Sequence, residues 1–455
     1  MFKKVLVADR GDAALRVIRS CRELGIPTVA AHSEPDRDSL PVLLADESVC
    51  IGPAPAEDSY LNVSRLLSAA EITRCDALHP GTSRLADDPE FADATTAVGL
   101  KFIGPPAETL RLSADRIALR RLMQQHGIPV IPASAAAVTS PAEATQACVA
   151  LGLPVVFKPV SSAARALRIV RDEKDIEAGF RLCQAEARAA PGEGLVYVEK
   201  FVANARHIEV TVLCDQDGEH LALPERDCSV QYRTRKLFDE SPSPGLSPAR
   251  RRRVAEMALK AAAAVGVPGI LNVEFLADER GDCRFLKLNS RLPTGHAVTE
   301  LLVGMDICRE QIRLAADEGL PDSLRSAKRL QPSASDSDTP FGHAVGCRIY
   351  AENPDADFEV STGLVTDLHL PGGHDIRVDS VLVPGCRVLP LYDALVCRLT
   401  VRAADRSRAL DRLDAALGEM VIAGVVTTVA FYRRLIQGSR LRAGRFYTGT
   451  LDEEE

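Results

Sequence analysis

Residues 4–31, KVLVADRGDAALRVIRSCRELGIPTVAA, carry the pattern that decides the fold. Lys4–Ala8 reads as a short apolar strand. Arg10-Gly11-Asp12 is a turn that opens a helix with an acidic first residue. Ala13–Leu24 then places Leu15, Ile18 and Leu24 near helical spacing. Thr28–Ala31 is the next strand and Ser48–Ile51 another. Ile72–Leu78 reads as a helix end running into a strand, followed by the turn His79-Pro80-Gly81. Strands that alternate with helices imply a parallel sheet with right-handed crossovers.

Working outward, a second region runs from about Ser113 to about Gly319. Val155–Pro159 is a buried strand carrying Lys158. Val196–Phe201 and Arg206–Leu213 are strands, the latter alternating His207, Glu209 and Thr211 with apolar residues. Arg252–Val265 is an Ala-rich helix, and Leu271–Leu276 with Cys283–Leu288 forms a hairpin around Asp278-Glu279-Arg280-Gly281. Gln331–Pro340 has linker composition. Short strands follow at Gly346–Tyr350, Ile376–Asp379 and Thr400–Arg402, with a turn at Pro371-Gly372-Gly373. Helices follow at Arg406–Glu419 and Val429–Ile436, and Thr448–Glu455 is an acidic tail.

Composition narrows the class. At roughly 100–200 residues per domain, 455 residues suggest two to four domains. A net charge of −8, without an aromatic–basic stripe, gives no support to nucleic-acid binding. There is no apolar run of the ~20 residues a membrane span needs. Asp9, Arg10 and Asp12 interrupt any signal-peptide core. The 12 cysteines are scattered without a C-x-x-C pair, which fits reduced thiols in a cytoplasmic protein. Only 10 of the 55 cationic residues are lysine, so each lysine position is informative.

Seven strings, in order, resemble biotin carboxylase, the ATP-grasp subunit of acetyl-CoA and related carboxylases. They are ADRGDAALRVIRSCRELGIPTVA near the start, LLADESVCIGPAP (43–55), FIGPPAETLRLSADR (102–116) and ERDCSVQYRTRK (225–236), then NSRLPTGHAVTE (289–300), CRIYAENP (347–354) and LPLYDALVCRL (389–399). The resemblance covers residues 1–447. It implies an α/β (α+β) fold with a Rossmann-like N-terminal domain at 1–113 and an ATP-grasp domain at 114–319 with a mobile lid at about 130–203. A linker at 320–341, a biotin-carboxylase-type C-terminal domain at 342–447 and the acidic tail at 448–455 complete the chain. The family's reaction phosphorylates bicarbonate with ATP and magnesium. The released CO2 is captured by biotin carried on a separate protein. No Met-Lys-Met string is present, so biotin enters as carrier-bound substrate. A biotin carrier protein, a carboxyltransferase, and a homodimer or a heterodimer with an active paralogue are the implied partners.

The resemblance assigns roles residue by residue. Lys158 matches the ATP-phosphate lysine, and Glu199, Lys200 and Val202 the hinge that brackets adenine. His207 and Gln231 match nucleotide contacts, Leu276 the apolar floor under adenine, and Arg116 a family lysine on the nucleotide. Glu274 and Asn289 match magnesium-side residues. Lys236, Arg291 and Arg348 match cations at bicarbonate, carboxyphosphate and biotin. Arg16, Arg19 and Glu23 match dimer-interface residues, the alternative being a solvated helix face.

Departures cluster on the catalytic strings. Ser161-Ser162-Ala163-Ala164-Arg165-Ala166 replaces a glycine run whose backbone N–H groups would wrap phosphate. Lys287 replaces a magnesium-binding Glu, although magnesium requires oxygen ligands. Lys287 then either faces solvent or serves as a tethered cation on phosphate. Gly295 stands where the general base belongs, and Pro293 replaces a bicarbonate-binding amide. The next carboxylate is Glu300, and His296 is a weak substitute. Thr234 replaces a nucleotide-site His, and Thr82-Ser83-Arg84 a Tyr-Gly-Phe segment. Three readings follow: a catalytically degenerate homologue with a structural or regulatory role, an active biotin carboxylase, or an ATP-grasp ligase acting on another carboxylate.

Overall fold

The computed structural model of the chain describes residues 1–162, 166–189, 194–321 and 342–452. β1 (Val5–Val7), β2 (Thr28–Ser33), β3 (Glu47–Gly52), β4 (Ala77–His79) and β5 (Lys101–Phe102) form a parallel sheet in the order β3-β2-β1-β4-β5. Val5 and Val7 pack with Val17, Ile18 and Cys21 of helix α1 (Gly11–Glu23). Leu6 and Ala8 pack on the other face with Leu66 and Leu78. Burial on both faces explains why this strand is an unbroken apolar run. The strand order reverses between β1 and β4, as in Rossmann-like sheets. At that reversal Gly81 has φ +65°, and a Cβ there would lie 2.1 Å from Asp9 Oδ2, so glycine is required.

The expected lid contains a three-stranded antiparallel sheet. β6 (Val155–Pro159) lies between β7 (Arg168–Val170) and β8 (Val196–Lys200), with helices Pro141–Leu151 and Ile176–Arg188 packed beside it. The largest sheet begins with β9 (Arg206–Cys214), its short partner β10 (His220–Ala222), β11 (Arg226–Tyr232) and β12 (Arg235–Ser241). β13 (Gly269–Ala277), β14 (Cys283–Asn289) and β15 (His343–Tyr350) follow. Its order is β14-β13-β9-β11-β12-β15, extended by strands Leu395–Ala403 and Ile376–Ser380. β12 pairs antiparallel with β15, so the sheet runs unbroken from the ATP-grasp region into the C-terminal region. Helix Arg406–Glu419 covers the C-terminal part through Leu410, Leu413 and Leu417.

Helix Pro248–Val265 covers one face of β9 and β13, burying Val210, Val212, Val273 and Phe275. Strand alternation therefore sends His207, Glu209, Asn272 and Glu274 to the opposite face. This helix begins before the predicted Arg252. Ser247 accepts a hydrogen bond from the Arg250 N–H and Pro248 takes the first turn. Thr400–Arg402 proves to be the end of a longer strand, paired along its length with β15. Residues 448–452 are not a free tail. Thr448 N–H donates to Ala205 O at 2.9 Å and Leu451 is 7% exposed. Residues 453–455 and the linker residues 331–340 lie outside the described residues.

Arg16 is no solvated residue. It pairs with Asp306 and, at 3.4 Å, with Glu300. Arg19 and Glu23 are more exposed, at 3.7 Å from Asp379 and 3.8 Å from Arg309. Glu300 also accepts from Arg377 at 2.6 Å and from the Ile307 N–H at 2.7 Å, and so ties α1 to the C-terminal strands. Burial alone would raise its pKa, but His296, Arg377 and Arg16 hold it down at about 2. A folded-state pKa below the unfolded value adds stability above pH ~4.5 and loses it as pH falls through about 2. Over that window, stability should fall by up to about 1.4 kcal/mol per pH unit more in the parent than in Glu300→Gln. Urea midpoints measured from pH 5 to 2 check this; parallel curves would refute it.

Candidate functional site

On the face opposite helix Pro248–Val265, antiparallel register places Glu274 directly across from Glu209, and Leu276 across from His207. Two buried carboxylates side by side require cations. β12 supplies Lys236, whose ammonium bonds Glu209 and lies 3.2 Å from Glu274 Oε2. β11 supplies Arg226, whose guanidinium donates to Glu209 at 2.8 Å, Asn272 at 2.7 Å, Thr211 at 2.9 Å and Thr299 at 2.7 Å. Burial alone would raise both carboxyl pKa values, yet Lys236 above all holds both well below the ordinary range. Burial would lower the Lys236 pKa, and Glu209 and Glu274 raise it instead.

His207 donates Nε2–H to Glu274 at 2.5 Å and accepts at Nδ1 from Gln231 Nε2 at 2.9 Å. Burial and then Lys236 lower its pKa, which fits this neutral tautomer. On the outer strand a bulge between Glu274 and Phe275 sets Glu274 opposite Lys287. Lys287 Nζ lies 3.4 Å from Glu274 Oε1, the same oxygen that accepts from Asn289. The Glu274 side chain is 1% exposed while that of Lys287 is 40% exposed. Glu274 supports the Lys287 charge, but burial and Lys236 together bring its pKa below the ordinary lysine value.

The structure thus gathers Lys236, His207, Gln231, Glu274, Asn289 and Lys287 into one cluster. Arg291 and Arg348 flank it, each paired with a carboxylate. Arg291 donates to Asp87 at 2.8 Å. Arg348 is 4% exposed, donating to Asp239 at 2.6 Å and to the Lys236 carbonyl at 2.5 Å. The remaining residues form a second group on the lid sheet. Lys158 bonds Glu199, which also accepts from Tyr197 at 3.1 Å. Lys200 spends its ammonium on the Gly152 and Leu153 carbonyls at 2.8 and 3.1 Å. Arg116 donates to the Pro159 and Ser161 carbonyls. Val202 and Leu276 are half-buried. Of the glycine-free stretch, Ala163–Arg165 lies outside the described residues.

Gly295 precedes helix His296–Val303 with φ −92°, a conformation any residue adopts. A Cβ there would lie 3.1 Å from Arg226 Nε and 3.2 Å from Asp239 Oδ2. Among the described residues, Arg226 Nε and Asp239 Oδ1 are buried without hydrogen-bond partners. The neighbouring acids and bases are each engaged, Asp239 through Oδ2 only. Asp239 is held by Arg348, His296 is buried with Nδ1–H on the Pro293 carbonyl at 2.9 Å, and Glu300 is tied as described. Sequence reasoning missed Arg226, Glu209 and Asp239 as members of the site. Only Glu209 carried a signal, since it alternates with His207 on one strand face.

Residues 1–110 match the biotin carboxylase N-terminal domain, and residues 346–453 the biotin carboxylase C-terminal domain. Residues 115–323 match the carbamoyl-phosphate synthase L chain ATP-binding domain. The chain is 39% identical to Biotin carboxylase 1 of Bacillus subtilis (strain 168) over 99% of this chain and 98% of that protein. It is also similar to the biotin carboxylase of Campylobacter jejuni solved as a β-γ-ATP complex. The TM-score there is 0.94 at 35% identity, covering 100% of this chain and 99% of the other. A third likeness is to the biotin carboxylase domain dimer of Hydrogenobacter thermophilus 2-oxoglutarate carboxylase, solved with MgADP, ADP and bicarbonate. Its TM-score is 0.93 at 36% identity, covering 100% and 98% of the two chains.

Proposed function

The chain belongs to the biotin carboxylase family, and from that premise we propose that it is a catalytically degenerate member: it keeps a nucleotide cleft, does not form carboxyphosphate, and serves a structural or regulatory role in an acyl-CoA-carboxylase-type system. One observation carries this reading. The retained metal-side carboxylate, Glu274, is already met by Lys236, His207, Asn289 and the substituted Lys287. Magnesium demands near-octahedral oxygen ligands, so this arrangement does not fit it. At ~4 Å and an effective dielectric near 20, each pair of like unit charges opposes binding by roughly 4 kcal/mol before screening, and a divalent ion doubles this. Gly295 removes the base as well, and loss of a general base alone typically costs ~10²–10⁴-fold.

The nucleotide side is better equipped. Lys158 and Glu199 stand on adjoining lid strands, and Gln231 and His207 are joined by a hydrogen bond. Biotin carrier protein and carboxyltransferase subunits belong to the proposal as partners, as does pairing with a second copy or with an active paralogue. The dimer found for the Hydrogenobacter thermophilus domain supports a pairing role.

A second reading, an active carboxylase that carboxylates carrier-bound biotin, is favoured by the comparisons. Relatives named biotin carboxylase match the chain nearly end to end, and Lys158, Lys236, Arg291 and Arg348 are all present. One assay separates the two. Purified protein given MgATP, bicarbonate and free biotin is expected to release no ADP above the protein-free rate. Biotin-stimulated ADP release would overturn the degenerate reading and establish the second.

A further inference from the structure

We propose that Lys287 is a built-in counterion that takes the place of a divalent metal, so that this cleft binds a nucleoside polyphosphate without any metal ion. The inference rests on the nucleotide cleft proposed above and names how its phosphates are neutralised.

Three observations carry it. The first is register. Lys287 and Glu274 face each other on neighbouring antiparallel strands, which delivers an ammonium to the carboxylate where a metal would have to sit. The second is saturation. Both oxygens of Glu274 are already engaged, Oε1 by Asn289 and Lys287, Oε2 by His207 and Lys236. The cluster of His207, Glu209 and Glu274 brings ligand atoms within 4.8 Å of one another. Its centre is nevertheless held by the Lys236 ammonium, bonded to both carboxylates. The third is charge and exposure together. Around the two carboxylates stand three cations, Arg226, Lys236 and Lys287, a surplus that repels a metal and attracts a polyanion. Of these three, Arg226 is fully buried and the Lys236 side chain is 17% exposed, whereas Lys287 is 40% exposed.

The ammonium of Lys287 has three N–H donors, and among the described residues its one ion pair is the loose 3.4 Å contact with Glu274. The others remain for phosphate oxygens, where a charge-assisted hydrogen bond is strong. A metal bridges phosphate to carboxylate through bonds to both. Lys287 makes the same bridge as a covalently attached +1 charge, and its occupancy does not depend on metal concentration.

Isothermal titration of the full-length protein with ADP tests this, in EDTA and again in excess magnesium. The parent is expected to bind in EDTA with a Kd within threefold of its value in magnesium. Lys287→Met should weaken binding in EDTA at least tenfold with an unchanged thermal midpoint. Lys287→Glu should bind only when magnesium is added. Three results would overturn the inference: no ADP binding under either condition, parent binding that requires magnesium, or Lys287→Met binding like the parent in EDTA. Its failure is distinguishable from failure of the proposed function. Biotin-stimulated ATP turnover sinks the latter whatever the EDTA titration shows. A catalytically silent protein that needs magnesium to bind ADP sinks only the inference.

Discussion

Arg226→Met is expected to lower the stability of the fold by about 3–5 kcal/mol, the cost of stripping one partner from a buried ion pair. Arg226 is fully buried, and its donors link β9, β11, β13 and the helix His296–Val303 through Glu209, Thr211, Asn272 and Thr299. Methionine fills part of the volume but leaves Glu209 leaning on Lys236 alone, while Asn272 and Thr211 lose a shared donor. Arg226→Lys should fall between the two, because it restores the charge without the planar fork that reaches four acceptors. Denaturant midpoints of the three proteins measure the effect. A methionine variant that unfolds with the parent would show that the polar cluster is held by the surrounding packing alone.

The second large effect is a gain. Lys287→Glu with Gly295→Glu, in a chain also carrying Ser162→Gly, Ala163→Gly and Ala164→Gly, should show bicarbonate-dependent ATP hydrolysis ~10²–10⁴-fold above the same chain with Gly295 retained, the range a positioned base supplies. The backbone at Gly295 accepts a side chain. Its φ is −92°, and the Cβ would meet Arg226 Nε and Asp239 Oδ2 at 3.1 and 3.2 Å, so both neighbours must give by a few tenths of an ångström. Gly295→Glu alone should gain little, since Lys287 still occupies the Glu274 carboxylate. Lys287→Glu alone should gain little for want of a base. The prediction is therefore strong non-additivity, read from ADP release in the single and combined variants. A combined variant that releases no more ADP than the parent would refute the role proposed for these positions.

Much of this architecture was legible in the chain. The apolar run at Val5–Val7, the turn at Gly11 and the helical spacing after it reported a parallel sheet, because a strand buried on both faces must be apolar throughout. The alternation of His207, Glu209 and Thr211 already marked the polar face that became the site. The chemical departures at Gly295 and Lys287 were equally visible, since residue identity needs no coordinates once the surrounding strings resemble a family.

Contacts between strands distant in sequence were not legible. The pairing of β12 with β15 crosses the linker, and nothing local specifies it. That Arg348 is buried against Asp239 depends on the same long-range packing. The chain by itself determined which charges are available and which expected ones are missing. Tertiary structure decided which charges neutralise one another. A one-residue bulge beside Glu274 sets the register that puts Lys287 on that carboxylate, and register in a sheet is fixed by the whole set of cross-strand contacts rather than by any single segment.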